Sequence, residues 1–370
     1  MSEGATAEGT VDGESDPPPE TDDAVADGID PVALAPQLAL VALYLVTILA
    51  GLALVDEMLA NEIMLFQDET DVGNVGVFAA IVLGFTAVLL LAFRYGVSMA
   101  LLRVGLTLYF GLLVGTVFGV ATGIGTVAGG SSLLAGLPTS PVPIAVGLLS
   151  GVVLLVYPEW YLIDLAAVVI GAAVIPMIGL GFGPLPIVVL LVVWAGYDAY
   201  SVYVSGHMQE LASGLGELKL PFVFVVPRSL SYSMVDDEFD LGLDDEDDAG
   251  DDGEADDEVA SDASAGPDED ADDGPEVALL GLGDAIIPGM LAVSAGQYLD
   301  APLVVPALNA NLPAVGAVAG GLVGMAALTY LVHRVEGAHA GLPPLNAGVL
   351  AGYLVGAVAA GIPLTTALGL

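Results

Sequence analysis

The 370-residue chain is 56% hydrophobic with a mean hydropathy of +0.83, an apolar content that no soluble core needs and that points to lipid as the solvent. Its formal net charge of −41, from 46 Asp plus Glu against 5 Lys plus Arg, disfavours a nucleic-acid partner. With no cysteine, disulfides, thiolate catalysis and Cys-ligated zinc are excluded.

The charge is concentrated: 10 carboxylates lie in residues 1–30 and 24 in residues 205–276. Runs such as Asp244 to Asp248 repel themselves and carry no apolar content, so a disordered acidic tail is expected over 1–31, and a disordered insert over about 236–276. The acidic surplus is also that of a halophile, whose molar internal salt screens self-repulsion. No basic segment precedes the first apolar run, so no signal peptide is expected.

From residue 32 the chain reads as apolar runs of roughly 17 to 25 residues, each able to cross a hydrocarbon core of about 30 Å as a helix. They fall near 34–55, 76–93, 99–121, 141–157, 160–180 and 184–204, then, after the loop 205–276, near 277–299, 312–333 and 346–366. The fold expected is an all-α membrane protein, a bundle of nine transmembrane helices. Arg94 and Arg103 flank the loop between spans two and three, Lys219 and Arg228 lie in 205–276, and Arg334 follows span eight. All five then share one side, which the positive-inside rule makes cytoplasmic, with the N-terminus inside and the C-terminus outside the cell membrane. Gly111, Gly115, Gly119 and Gly123, and again Gly348, Gly352 and Gly356, recur at four-residue spacing and read as stripes for close helix packing.

An ionisable group at membrane depth is costly and therefore a candidate for function. Three aspartates qualify. Asp164 follows Trp160 and Tyr161, an interfacial aromatic pair, and reads as structural, within reach of water. Asp198 is about 9 Å from the cytoplasmic end of span six, and Asp284 about 10 Å into span seven. Those spans run in opposite directions, so the two carboxylates lie level. Gly281 and Gly283 remove bulk beside Asp284, Pro288 loosens the helix after it, and Tyr197 adjoins Asp198 as a hydroxyl donor or aromatic wall. Two close carboxylates in low dielectric share one proton, which suits them equally to acid–base hydrolysis or to a proton or cation site in a transporter. His207, His333 and His339 are not spaced as a metal site, and no metal or organic cofactor is expected.

Tyr197-Asp198 in one span and Gly281-Leu282-Gly283-Asp284 in the next resemble the GxGD-type intramembrane aspartyl proteases, specifically the archaeal homologues of presenilin and signal peptide peptidase. The stretch from His207 and Met208 through Leu218 to Pro221, Val226 and Pro227 to Ser231, Tyr232 and Ser233 is also similar to the archaeal members, and with the acidity suggests a haloarchaeal source. The resemblance implies a presenilin-type nine-helix bundle in which Asp198 and Asp284 hydrolyse peptide bonds inside transmembrane helices of membrane proteins or signal peptides. A prepilin-peptidase-like protease shares the GxGD aspartate and is the other enzymatic reading. The family's Pro-x-Leu element has two counterparts. Pro306-Ala307-Leu308 lies between spans seven and eight, on the outer side; Pro343-Pro344-Leu345 opens span nine on the cytoplasmic side and is expected to shape the substrate site, with proline where the family commonly has alanine. Phe222 to Val226, a β-prone run between prolines, is a candidate strand for pairing with unwound substrate. Oligomeric state is not specified.

Overall fold

The computed structural model describes residues 31–124, 137–205, 219–235, 277–334 and 341–370. The acidic tail, the insert 236–276, His207 and His339 lie outside these residues. The helices are α1 (Pro31–Ala53), α2 (Val55–Ala60), α3 (Gly73–Arg94), α4 (Met99–Thr122), α5 (Pro141–Val156), α6 (Trp160–Gly179) and α7 (Pro184–Tyr200), the last continued by a π-helical turn, Ser201–Ser205. They are followed by α8 (Leu282–Tyr298), α9 (Leu312–Arg334), α10 (Leu342–Ala359) and a short α11 (Leu364–Ala367). Strands β1 (Val223–Pro227) and β2 (Val277–Gly281) form one antiparallel ribbon, and β3 (Leu303–Val305) and β4 (Ala310–Asn311) another.

Among the described residues, α1, α3, α4, α6, α7, α9 and α10 are the 7 helices long and apolar enough to cross a membrane. Helices α5 and α8, at 16 and 17 residues, are shorter. Large apolar side chains such as Phe85, Val88, Leu101, Leu149, Leu165 and Val323 point outward, as lipid-facing residues do, while Tyr44, Ile175, Met290 and Tyr353 fill the interior.

The expected seventh span, 277–299, is divided. Residues 277–281 are extended and pair with β1, and the helix begins only at Leu282. A short apolar run has no periodicity that separates strand from helix, and here the partner strand decides. Span nine likewise starts earlier than expected, at Leu342, so that Pro343 and Pro344 stand inside the first turn rather than ahead of it.

Glycine stripes bring two helix pairs into backbone contact. On α4 and α5, a Cβ at Gly111 would fall 2.7 Å from the Cα of Gly151, and one at Gly147 would fall 2.9 Å from the Cα of Leu112. On α9 and α10, a Cβ at Gly320 would strike the Gly348 carbonyl and one at Gly324 would sit 2.8 Å from the Cα of Leu345. Only glycine permits that approach. Gly123 departs from the stripe: nothing lies near it, and its φ of 64° makes it the left-handed C-cap of α4.

Candidate active site

Four chain segments converge at one end of the bundle: the last turn of α7, the β1–β2 ribbon, the first turn of α8 and the first turn of α10. Asp198 stands two residues before the end of α7, and Ser201 Oγ donates to its carbonyl at 2.9 Å. Asp284 is the third residue of α8, not the seventh of a long span. The two acids are thus brought near each other by helix ends rather than by equal lengths of helix.

Asp284 occupies the N3 position behind the N-cap Gly281, and its carboxylate folds back to accept the Gly281 backbone N–H, the reciprocal half of a capping box. A Cβ on Gly281 would lie 3.2 Å from Asp284 Oδ2, so the glycine leaves room for this return. Leu282 is buried, and its N–H donates to the Phe222 carbonyl at 2.8 Å, which extends the ribbon's ladder up to the helix start. Gly283 is exposed and faces open space, leaving the flank of Asp284 clear.

Asp198 is held from the other side. Its Oδ2 accepts the Leu342 N–H at 3.0 Å, and the Gly341 N–H also points to it. A helix start has N–H groups with no partner inside the helix. Pro343 and Pro344 delete two of them, and Asp198 takes those of the cap and the first residue. The double proline therefore leaves α10 with few donors to satisfy away from water. Asp284 Oδ2 lies 3.9 Å from where a Cβ on Gly341 would be, so both carboxylates border the same residue, near enough to feel each other's charge. Both are half-buried, and each lies at the positive end of a helix dipole, Asp284 at that of α8 and Asp198 at that of α10.

Leu345 is fully buried against α9. Tyr197 is half-buried and its ring meets Trp194 at 6.2 Å, in an aromatic row continuing through Phe78 to Phe182. Pro306-Ala307-Leu308 forms a 3-10 turn between β3 and β4, beyond the far end of α8 from Asp284.

Two expectations change. Asp164 is 4% exposed, not at a wet interface, and its Oδ1 accepts the Val225 N–H at 2.8 Å. The run Phe222 to Val226 is already paired, on one side by β2 and on the other by Asp164. The Leu282-to-Phe222 bond sets the ladder's alternation, so 224 with 280 and 226 with 278 exchange hydrogen bonds while 223 with 281 and 225 with 279 do not. Among the described residues, the ribbon edge that nothing pairs with is that of β2.

Three contributors went unnoticed in the sequence. Leu342 offers only a main-chain donor, which no side-chain pattern reveals. Asn346, 1% exposed, donates from Nδ2 to the Leu191 carbonyl at 3.0 Å and ties α10 to α7. Glu159 accepts from Ser233 Oγ at 2.7 Å and from the Met234 N–H at 3.2 Å, anchoring the segment after β1 to the start of α6. An asparagine inside an apolar span and an acid in the short link between two spans were the available signals.

A mostly helical membrane bundle that brings two aspartates near each other at helix ends fits an intramembrane aspartic protease. The sequence matches the family described as signal-peptide peptidase, presenilin aspartyl protease over residues 41–362. Two solved structures of a presenilin family intramembrane aspartate protease are similar. One, in space group C222, has 28% identity and a TM-score of 0.56, covering 88% of this chain and 100% of that one. The other, in space group P2, has 30% identity and a TM-score of 0.53, covering 88% and 99%. A comparison with the curated proteins finds no match. The chain belongs to the signal-peptide peptidase and presenilin family of aspartyl proteases, and is an intramembrane aspartic protease.

Proposed function

We propose that Asp198 and Asp284 are the catalytic pair, and that the enzyme hydrolyses peptide bonds within transmembrane segments of membrane proteins or signal peptides. The observation that carries this is the convergence on one backbone turn: Asp198 Oδ2 accepts the Leu342 N–H at 3.0 Å while Asp284 Oδ2 lies 3.9 Å from the Cβ position of Gly341. One carboxylate is ionised and takes a proton from water. The other, protonated, donates to the scissile carbonyl as the oxygen of that water bonds to its carbon. Collapse of the tetrahedral intermediate breaks the C–N bond: the amine leaves with the pair's proton, one hydroxyl of the intermediate passes its proton to the pair as the carboxylic acid forms, and the pair again holds one shared proton. The proton belongs to the pair rather than to either residue.

A substrate helix hides its peptide bonds in its own hydrogen bonds and must unwind before attack. The free edge of β2, which leads straight into Gly281-Leu282-Gly283-Asp284, offers main-chain partners to the unwound stretch; it replaces the Phe222 to Val226 edge in that role. Gly283 leaves space for the approaching backbone, and Pro343, Pro344 and Leu345 set the position of the α10 turn opposite. Tyr197 walls the site beside Asp198.

The same reading takes α5 and α8 as membrane-crossing with the seven longer helices, giving nine spans, a cytoplasmic N-terminus and an external C-terminus. Arg103 supports the orientation, since its guanidinium donates to the Leu155 carbonyl at 3.4 Å at the end of α5 that faces the Asp164 turn. The halophilic part of the haloarchaeal reading rests on the acidic composition, and the archaeal part on the resemblance of its motifs. Purified protein in detergent, given a labelled transmembrane peptide, tests the activity. Cleavage by wild type and none by Asp198→Ala or Asp284→Ala is expected; cleavage by Asp284→Ala at the wild-type rate refutes the pair.

A further inference from the structure

We infer that Asp164 is a positioning residue of this reaction: by accepting the Val225 N–H it fixes the β1–β2 ribbon on α6 and so sets where Asp284 stands. The inference rests on the two-aspartate reading. One face of α6 runs along the whole path from ribbon to α8. A Cβ at Gly171 would lie 3.1 Å from Leu282 Cδ1, Ile175 Cδ1 lies 2.9 Å from the Cβ position of Gly289, and a Cβ at Gly179 would lie 2.9 Å from Val293 Cβ. Asp164 is seven residues before Gly171, two turns along the same face. It is the polar end of an otherwise apolar track, and it meets β1 where the track leaves α8.

The chemistry explains why an acceptor is there. Val225 pairs with Leu279 at a position without ladder bonds, so its N–H points away from β2 toward α6. Phe224, Val225 and Val226 are buried, and water does not reach that donor. Asp164 supplies the acceptor at 2.8 Å. From Val225 the constraint passes through the ladder to Leu280, then through the Phe222–Leu282 bond to the first turn of α8, whose N-cap Gly281 holds Asp284. A ribbon freed from α6 can shift along it, and Asp284 shifts with it.

The test uses the full-length enzyme in detergent with a labelled transmembrane peptide, reading kcat, KM and the masses of the products. Asp164→Ala is expected to lower kcat by about tenfold to a hundredfold with KM changed little, and to spread the cuts over neighbouring bonds. Asp164→Asn, whose amide oxygen still accepts, is expected to recover most of kcat and a single cut position. Where Asp164→Ala does not fold, Val225→Pro removes the donor instead and keeps the ladder bonds at 224 and 226; the same loss of kcat is expected. Wild-type kcat in either variant overturns the inference, as does an Asp164→Asn loss equal to that of Asp164→Ala. A merely structural bond lowers the melting temperature but leaves kcat per folded molecule and the product masses unchanged. Asp284→Ala, run beside them, separates the failures. If it cleaves, the two-aspartate reading falls; if it is inactive while Asp164→Ala is normal, only the positioning role falls.

Discussion

The backbone N–H of Leu342 donates to Asp198 Oδ2 at 3.0 Å, so the first turn of α10 and the last turn of α7 meet at a carboxylate rather than at a packed side chain. Gly341 stands between this bond and Asp284. Gly341→Ala places a methyl group 3.9 Å from Asp284 Oδ2 and 3.5 Å from Leu328 Cδ2, both ordinary contact distances. The variant should therefore fold with a near-normal melting temperature, yet crowd the space above the pair. We expect kcat/KM to fall by roughly tenfold, about 1.4 kcal/mol of transition-state stabilisation, in a peptide-cleavage assay.

Asp198→Asn and Asp284→Asn keep size and remove the ability to take up the water's proton. Each should lower kcat by at least about a thousandfold, and the double variant should lose little more than either single one, as expected of a proposed pair that acts as a unit. Additive losses in single-turnover kinetics would mean independent roles.

The open edge of β2 makes Leu279 and Ala278 an informative pair. The Leu279 N–H points away from β1, so Leu279→Pro spares the ladder and removes a donor from the free edge; Ala278→Pro breaks a ladder bond to Val226. Leu279→Pro is expected to raise KM for a transmembrane substrate several-fold with an unchanged melting temperature. Ala278→Pro should lower the melting temperature and kcat together. The comparison is made by kinetics alongside a thermal scan.

Helices α9 and α10 meet through glycines, and α10 carries the donors to Asp198. Gly320→Val forces a side chain into the Gly348 carbonyl and must separate the two backbones. Overpacking of this kind costs about 1–3 kcal/mol. The melting temperature in detergent should fall, and turnover with it, since the Leu342 bond moves with α10. The same substitution at Gly76 on α3, where nothing lies within 4 Å, should change neither.

Much of the site could be read from residue types alone. A carboxylate is conspicuous in an apolar run because lipid tolerates it so poorly, and Asp198, Asp284 and Asp164 were found in that way. The double proline ahead of span nine was visible too, although its use was not. Proline matters here through the N–H it lacks, and that absence has meaning only once Asp198 is seen taking the donors that remain. Residues 277–281 read as helix in the sequence because five apolar residues look alike in either conformation until a partner strand is known. For the same reason the sequence points to β1 as the substrate-pairing edge: composition marks a strand, but only pairing shows which edge the described residues leave free.

The sequence by itself determined that this is a membrane bundle with three acids at depth, because hydropathy, charge placement and glycine spacing are properties of short stretches of chain. The tertiary structure decided what each acid binds. Asp284 returns to its own helix cap, Asp198 receives the N-terminus of α10 from 144 residues away, and Asp164 holds a strand 61 residues distant. Hydrogen bonds to main-chain donors are set by where the chain comes back to itself, and a local pattern does not encode that.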